Sequence, residues 1–205
     1  MLFHPASQLQ VTESLADGAY SWRVTARDQA LNAAVSDRRT FTVDTTPPGA
    51  PPPVAPEDQA VINDARPLFD WAAASGDVVD YRLQATSGDI ATGPYTLDVV
   101  VLLPATEFRP TGNLPDSTYS WRVTTRDAVL NSAASQVRTF TLDTTPPEAP
   151  GLVFPGSGDS VTGGFDFTWT TAAEADVTYA VWLGTGDPGP GAFDKLTGDL
   201  DTGRL

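Results

Sequence analysis

Apolar and polar residues alternate with a period of two in short runs along most of this chain. In Tyr119-Ser-Trp121-Arg-Val123-Thr-Thr125-Arg126 the aromatic and aliphatic residues share one face, while Ser120, Arg122 and Arg126 share the other. Tyr20, Trp22, Val24 and Ala26 repeat the pattern, and Leu68-Phe69-Asp70-Trp71 and Thr139-Phe140-Thr141-Leu142 alternate in the same way. In residues 79–85 the alternation puts Val79, Tyr81, Leu83 and Ala85 inward. Gly, Pro, Asp and Asn separate the runs, and no window carries a capped helical stripe. In the middle of the chain this predicts strands near 52–56, 67–73, 78–87, 95–102, 106–110, 118–127 and 137–143. Val99–Leu103 is a continuous apolar run, expected on an edge or sheet-switching strand that Pro104 ends. So many short strands in about 100 residues predict a two-sheet antiparallel β-sandwich with Greek-key connections.

The pattern also recurs as sequence. Residues 20–51 return at 119–150 with 23 of 32 positions identical, an offset of 99. Residues 69–89 lie over 167–187 at an offset of 98, matching Trp71 to Trp169 and Tyr81 to Tyr179. A repeat this long is a domain rather than a solenoid turn. Residues 1–47 therefore read as the C-terminal half of one sandwich, 48–146 as a complete one, and 147–205 as the N-terminal half of a third. Asp44-Thr-Thr-Pro-Pro-Gly-Ala-Pro-Pro-Pro53 and Asp143-Thr-Thr-Pro-Pro-Glu-Ala-Pro150 stand between them. Proline removes amide donors and favours extended backbone, so these stretches read as short, semi-rigid linkers.

Leu114-Pro-Asp-Ser-Thr-Tyr119 followed by Trp121 and Val123, with its counterpart Leu15-Ala-Asp-Gly-Ala-Tyr20, resembles the E–F corner and F strand of fibronectin type III domains. The tail Arg-Asp-x-x-Leu-Asn followed by Arg-Thr-Phe-Thr-[Val/Leu]-Asp-Thr-Thr-Pro-Pro is similar to bacterial Ig-like repeats of large surface proteins. Those repeats usually have glycine where Leu31 and Leu130 stand here. The resemblance implies an all-β chain of tandem Ig-like or fibronectin type III-like sandwiches, with tyrosine corners whose phenols bond back to the backbone just upstream. It implies a structural core of Tyr20, Trp22, Trp71, Tyr81, Tyr119, Trp121, Trp169 and Tyr179. It also implies an adhesive or spacer role outside a bacterial cell, with neighbouring repeats as partners. A spacer or carbohydrate-binding region of a secreted polysaccharide-degrading enzyme or protease is the alternative.

Composition narrows the chemistry. Acidic residues outnumber basic ones 26 to 12, giving a net charge of −14, which opposes binding to nucleic acid or to an anionic membrane. No apolar run approaches the ~20 residues of a spanning helix, and any export signal is expected outside these residues. Without cysteine there are no disulfides, zinc–thiolate sites or thiol nucleophiles. His4 is the only histidine, and the acids Asp77, Asp80, Asp89 and Asp187 fall in expected turns, so no enzymatic role is expected. Calcium is the cofactor to consider, because hard cations take several carboxylate and carbonyl oxygens. Asp44 and Asp143 end the last strands of their repeats, and Asp28 with Asn32, and Asp127 with Asn131, lie in the preceding loops. Chain exit and that loop lie at opposite poles of one sandwich. An exit aspartate is therefore expected to meet loops of the following repeat, with Asp143 and Asp159 as the candidate pair. The alternative is that these aspartates cap turns and solvate the surface. Arg23, Arg27, Arg122 and Arg126 line one strand face, read as cross-strand pairing in preference to an anion-binding stripe. Trp182, on the face opposite Tyr179 where the middle repeat has Gln84, is a candidate for stacking on a sugar ring. Finally, the two half-repeats amount to one more sandwich, so head-to-tail self-association is expected.

Overall fold

A computed structural model describes residues 7–174, 176–184 and 194–195; His4 and Asp187 lie outside them. Among the described residues every regular element is a strand. By compactness the chain divides into residues 1–144 and 145–205, so the first half-repeat groups with the middle one.

The N-terminal segment forms two hairpin-like pairs. Strand β1 (Gly18–Trp22) runs antiparallel to β4 (Arg39–Val43), and β2 (Thr25–Arg27) to β3 (Ala33–Val35). The middle repeat closes into a sandwich. Its first sheet has the order β10 (Glu107–Phe108), β7 (Phe69–Trp71), β5 (Pro53–Ala55). The second has β6 (Ala60–Ile62), β13 (Arg138–Leu142), β11 (Ser117–Arg126), β8 (Asp80–Thr86) and β9 (Leu97–Leu102), with β12 (Ser132–Ala134) also on β11. All pairs are antiparallel except β6 with β13. Seven of these strands fall where the alternation predicts, and β9 is an edge. Strands β6 and β12 were not predicted. Gln59 adopts a φ of 63° between β5 and β6, which turns the chain from one sheet to the other.

The alternation of β11 sets the core. Tyr119, Trp121, Val123 and Thr125 point inward and meet Phe69, Trp71, Tyr81, Leu83, Phe140 and Leu142. Phe69 bridges the sheets, its ring centroid 5.3 Å from Trp121 and 5.9 Å from Phe140, both edge-on. Tyr119 stacks on Phe140 at 5.3 Å, and its phenol donates to Pro115 O at 2.9 Å. Val79 is exposed rather than inward, because β8 begins only at Asp80.

The N-terminal segment reproduces half of this geometry. Tyr20 stacks on Phe41 at 5.5 Å and donates to Ala16 O at 2.8 Å. It has no opposing sheet among the described residues, so the expectation of a buried Trp22 is corrected: its side chain is 50% exposed, and Tyr20 is half-buried. The C-terminal unit pairs β14 (Leu152–Phe154) with β15 (Thr168–Trp169), and β16 (Trp182–Leu183) with β17 (Asp194–Lys195). Trp169 and Tyr179 lie 5.6 Å apart but are half-buried, for the same reason.

Candidate functional site

The most constrained polar region of the described residues is the joint between the N-terminal segment and the middle sandwich. It starts from the Asp-Thr-Thr-Pro-Pro sequence that follows β4. Asp17, in the corner before β1, accepts from Thr45 N at 2.9 Å and from the Thr45 and Thr46 hydroxyls at 2.7 and 2.5 Å. The Thr46 hydroxyl, then that of Thr45, holds the Asp17 carboxyl below its usual range. Asp116 repeats the clamp, accepting from Thr144 N and Oγ1 at 3.1 and 2.9 Å.

Beyond Thr46 the linker docks. Pro48 and Pro51 are buried, Gly49 N donates to Ser75 O at 2.9 Å, and the Thr125 hydroxyl lies 3.0 Å from Gly49 O. A Cβ at Gly49 would come within 2.5 Å of Ser75 Oγ and 3.3 Å of Ser75 N, so a side chain there displaces Ser75. This apposition explains a glycine in an otherwise proline-rich stretch.

The loop between β11 and β12 closes over the joint. Asp127, only 2% exposed, accepts from Val129 N, Asn131 N and Asn131 Nδ2 at 2.9, 2.8 and 2.8 Å. Leu130 takes a φ of 71° and Leu31 a φ of 68°, so the left-handed turn is kept with leucine where glycine is the usual residue. Asn131 Nδ2 also donates to Asp44 O at 3.1 Å, which ties this loop to the end of β4.

These contacts bring three carboxylates together. Oxygens of Asp44, Asp77 and Asp127 all lie within 4.8 Å of one another. Calcium holds its oxygens at 2.3–2.6 Å, so two oxygens sharing one ion lie at most about 5 Å apart. The spacing therefore suits one divalent cation. Asp44 was expected at such a joint, but its neighbours are Asp77 and Asp127. Asp159 accepts from Gly156 N at 2.7 Å within its own turn, in the unit of residues 145–205, whereas Asp143 falls in the unit of residues 1–144. Asp77 and Asp127 lie in loops of the repeat that follows Asp44, where an exit aspartate was expected to find its partners. The loops before β8 and after β11 share the pole that faces the preceding repeat.

The arginine face pairs across strands. Arg126 meets Asp80 at 2.7 Å, Arg82 meets Asp98 at 2.6 Å, and Arg122 donates to Gln84 Oε1 at 2.9 Å. Hydrogen bonding from Arg82 holds the Asp98 carboxyl below its usual range. Gln84, read as outward, is buried where it accepts from Arg122. Trp182, at the matching position, is 56% exposed.

No family model matches the chain, and no curated protein matches it. Among solved structures it is similar to a Fn3-like protein from Clostridium thermocellum, at 16% identity over 49% of this chain and 99% of that one, with a TM-score of 0.36. It is similar to the sixth fibronectin type III domain of human fibronectin type III domain containing protein 3, at 18% identity over 53% of this chain and 96% of that one (TM-score 0.35). A third likeness is to the FN1–FN3 domains of chicken CNTN1, at 16% identity over 87% of this chain and 60% of that one (TM-score 0.37). These similar structures are fibronectin type III-like domains, one of them bacterial.

Proposed function

We propose that this chain is a structural, adhesion-type repeat region that works as a semi-rigid spacer outside a bacterial cell, without catalysis of its own. One observation carries the reading: the linker at 44–53 is hydrogen-bonded into the sandwich that follows it, through Gly49 N to Ser75 O and the Thr125 hydroxyl to Gly49 O. A docked linker transmits orientation from one repeat to the next, as a stalk requires and a flexible tether does not. The absence of cysteine makes the test direct. Spin labels at Ala34→Cys and Thr111→Cys should give a narrow distance distribution, broadened by Thr125→Val. A wild-type distribution as broad as that of a flexible tether overturns the reading.

A second reading adds to the first. The spacing of the Asp44, Asp77 and Asp127 carboxylates favours calcium as a reinforcement of the same joint. Calcium should raise the melting temperature of the chain, and chelation should reverse the rise.

A further inference from the structure

The middle sandwich shows what the inner face of the N-terminal segment is shaped to receive. Trp121 is 0% exposed because Phe69 of the opposing sheet lies edge-on against it, 5.3 Å away. Trp22 occupies the position of Trp121 and Phe41 that of Phe140, as the identical runs around them require. Both are open to solvent here, and Trp22, Val24 and Arg39 line a depression of about 290 Å³. In the middle sandwich the residue matching Arg39, Arg138, donates to Val54 O at 2.8 Å. The depression thus lacks an aromatic ring and a strand carbonyl, both held in fixed positions in the complete copy.

The chain carries both pieces in its C-terminal unit. Phe167 matches Phe69, and Val153 matches Val54. The strand pairing that positions them is already formed there, since β14 pairs with β15 as β5 does with β7. Phe154 and Phe165 of that unit are exposed, although they pack on each other edge-on at 6.3 Å. Each half therefore exposes the apolar face that its counterpart covers in the middle sandwich.

We propose that the inner face of the N-terminal segment binds the C-terminal unit of a second copy of this chain, completing a sandwich between molecules. Phe167 of the second copy fills the depression beside Trp22, and Arg39 donates to its Val153 carbonyl. The open edges of β1 and β4 take strands as β11 and β13 do in the middle sandwich. The two faces differ, so the contact is heterologous: it propagates into chains or closes into rings.

Light scattering on the 205-residue chain over about a hundredfold range of concentration tests this. The mass should rise with concentration above the 21.7 kDa of one chain. Trp22→Asp spoils only the receiving face and Phe167→Asp only the inserted one, so each variant alone should stay monomeric. An equimolar mixture should form a discrete dimer, because each variant keeps the face the other lost. That rescue separates docking from general unfolding. A wild-type monomer throughout, as when these faces are covered only by flanking repeats of a longer chain, overturns the proposal. So does a mixture that yields no dimer.

Discussion

Trp121 and Trp22 occupy equivalent positions on equivalent strands yet have opposite environments. Trp121 is enclosed by two sheets, so Trp121→Ala should cost the middle sandwich about 3–5 kcal/mol in urea unfolding. A loss under ~0.5 kcal/mol would remove it from the core. Leu130 shows the reverse, a side chain that hinders its own backbone. The left-handed conformation costs an L-residue roughly 1–2 kcal/mol, against about 0.5–1 kcal/mol for the extra chain entropy of glycine. Since Leu130 is 71% exposed, little burial is forfeited, and Leu130→Gly should raise the urea midpoint by the equivalent of about 0.5–1 kcal/mol. Tyr119 gives a pH dependence. Burial, with the Asp116 carboxylate adding to it, raises its phenol pKa, so the folded state holds the proton more tightly than the unfolded chain. Its contribution is complete below the unfolded value near 10 and is lost as pH rises past it. Tyr119→Phe should lower stability at neutral pH by about 1 kcal/mol and flatten the alkaline decline.

Among elements, β11 and the linker are coupled through Thr125. Its buried hydroxyl lies 3.0 Å from both Gly49 O and Ala133 O, and Thr125→Val keeps the shape while removing the donor. The variant should lose roughly 1–2 kcal/mol and loosen the joint; an unchanged midpoint with an unchanged label distance would uncouple the two. The main strands of the middle sandwich were legible in the sequence because one face of each is buried, and burial writes a period of two. Strand β6 escaped that logic: its sheet switch depends on a left-handed Gln59, which no glycine marks, and on Asp58, which accepts from Thr139 N at 2.8 Å. Gln84 on the outward face of β8 escaped it too, because Arg122 lies on it, and a polar residue under another polar residue looks like a surface position. At the joint, Asp44 was legible as an acid at a linker. Its neighbours Asp77 and Asp127 were legible only as acids in loops at the pole that faces the linker, because which of those acids meet Asp44 is fixed once the linker has docked.

At the scale of the whole molecule, the joint concentrates like charge. Asp44, Asp77 and Asp127 approach within 4.8 Å of one another, and the chain as a whole carries −14. Carboxylates this close repel, which opposes linker docking unless a cation shares them. Extracellular modules bind calcium with dissociation constants of roughly 0.1–1 mM. At a calcium concentration ten times the dissociation constant, linkage stabilises the bound state by about 1.4 kcal/mol. That is worth several degrees of melting temperature for a domain of about 100 residues. Asp77 separates the roles, because its carboxylate is exposed and holds no backbone group of the joint in place, whereas Asp127 accepts from Val129 N and Asn131 N. Asp77→Asn should therefore melt slightly higher than wild type in EDTA, by relief of repulsion, and should lose most of the rise that calcium gives the wild type. If calcium leaves the wild-type melt where EDTA put it, the three carboxylates are not a cation site. Stiffness at this joint would then rest on the bonds of Gly49 with Ser75 and Thr125 and on that from Asn131 to the Asp44 carbonyl.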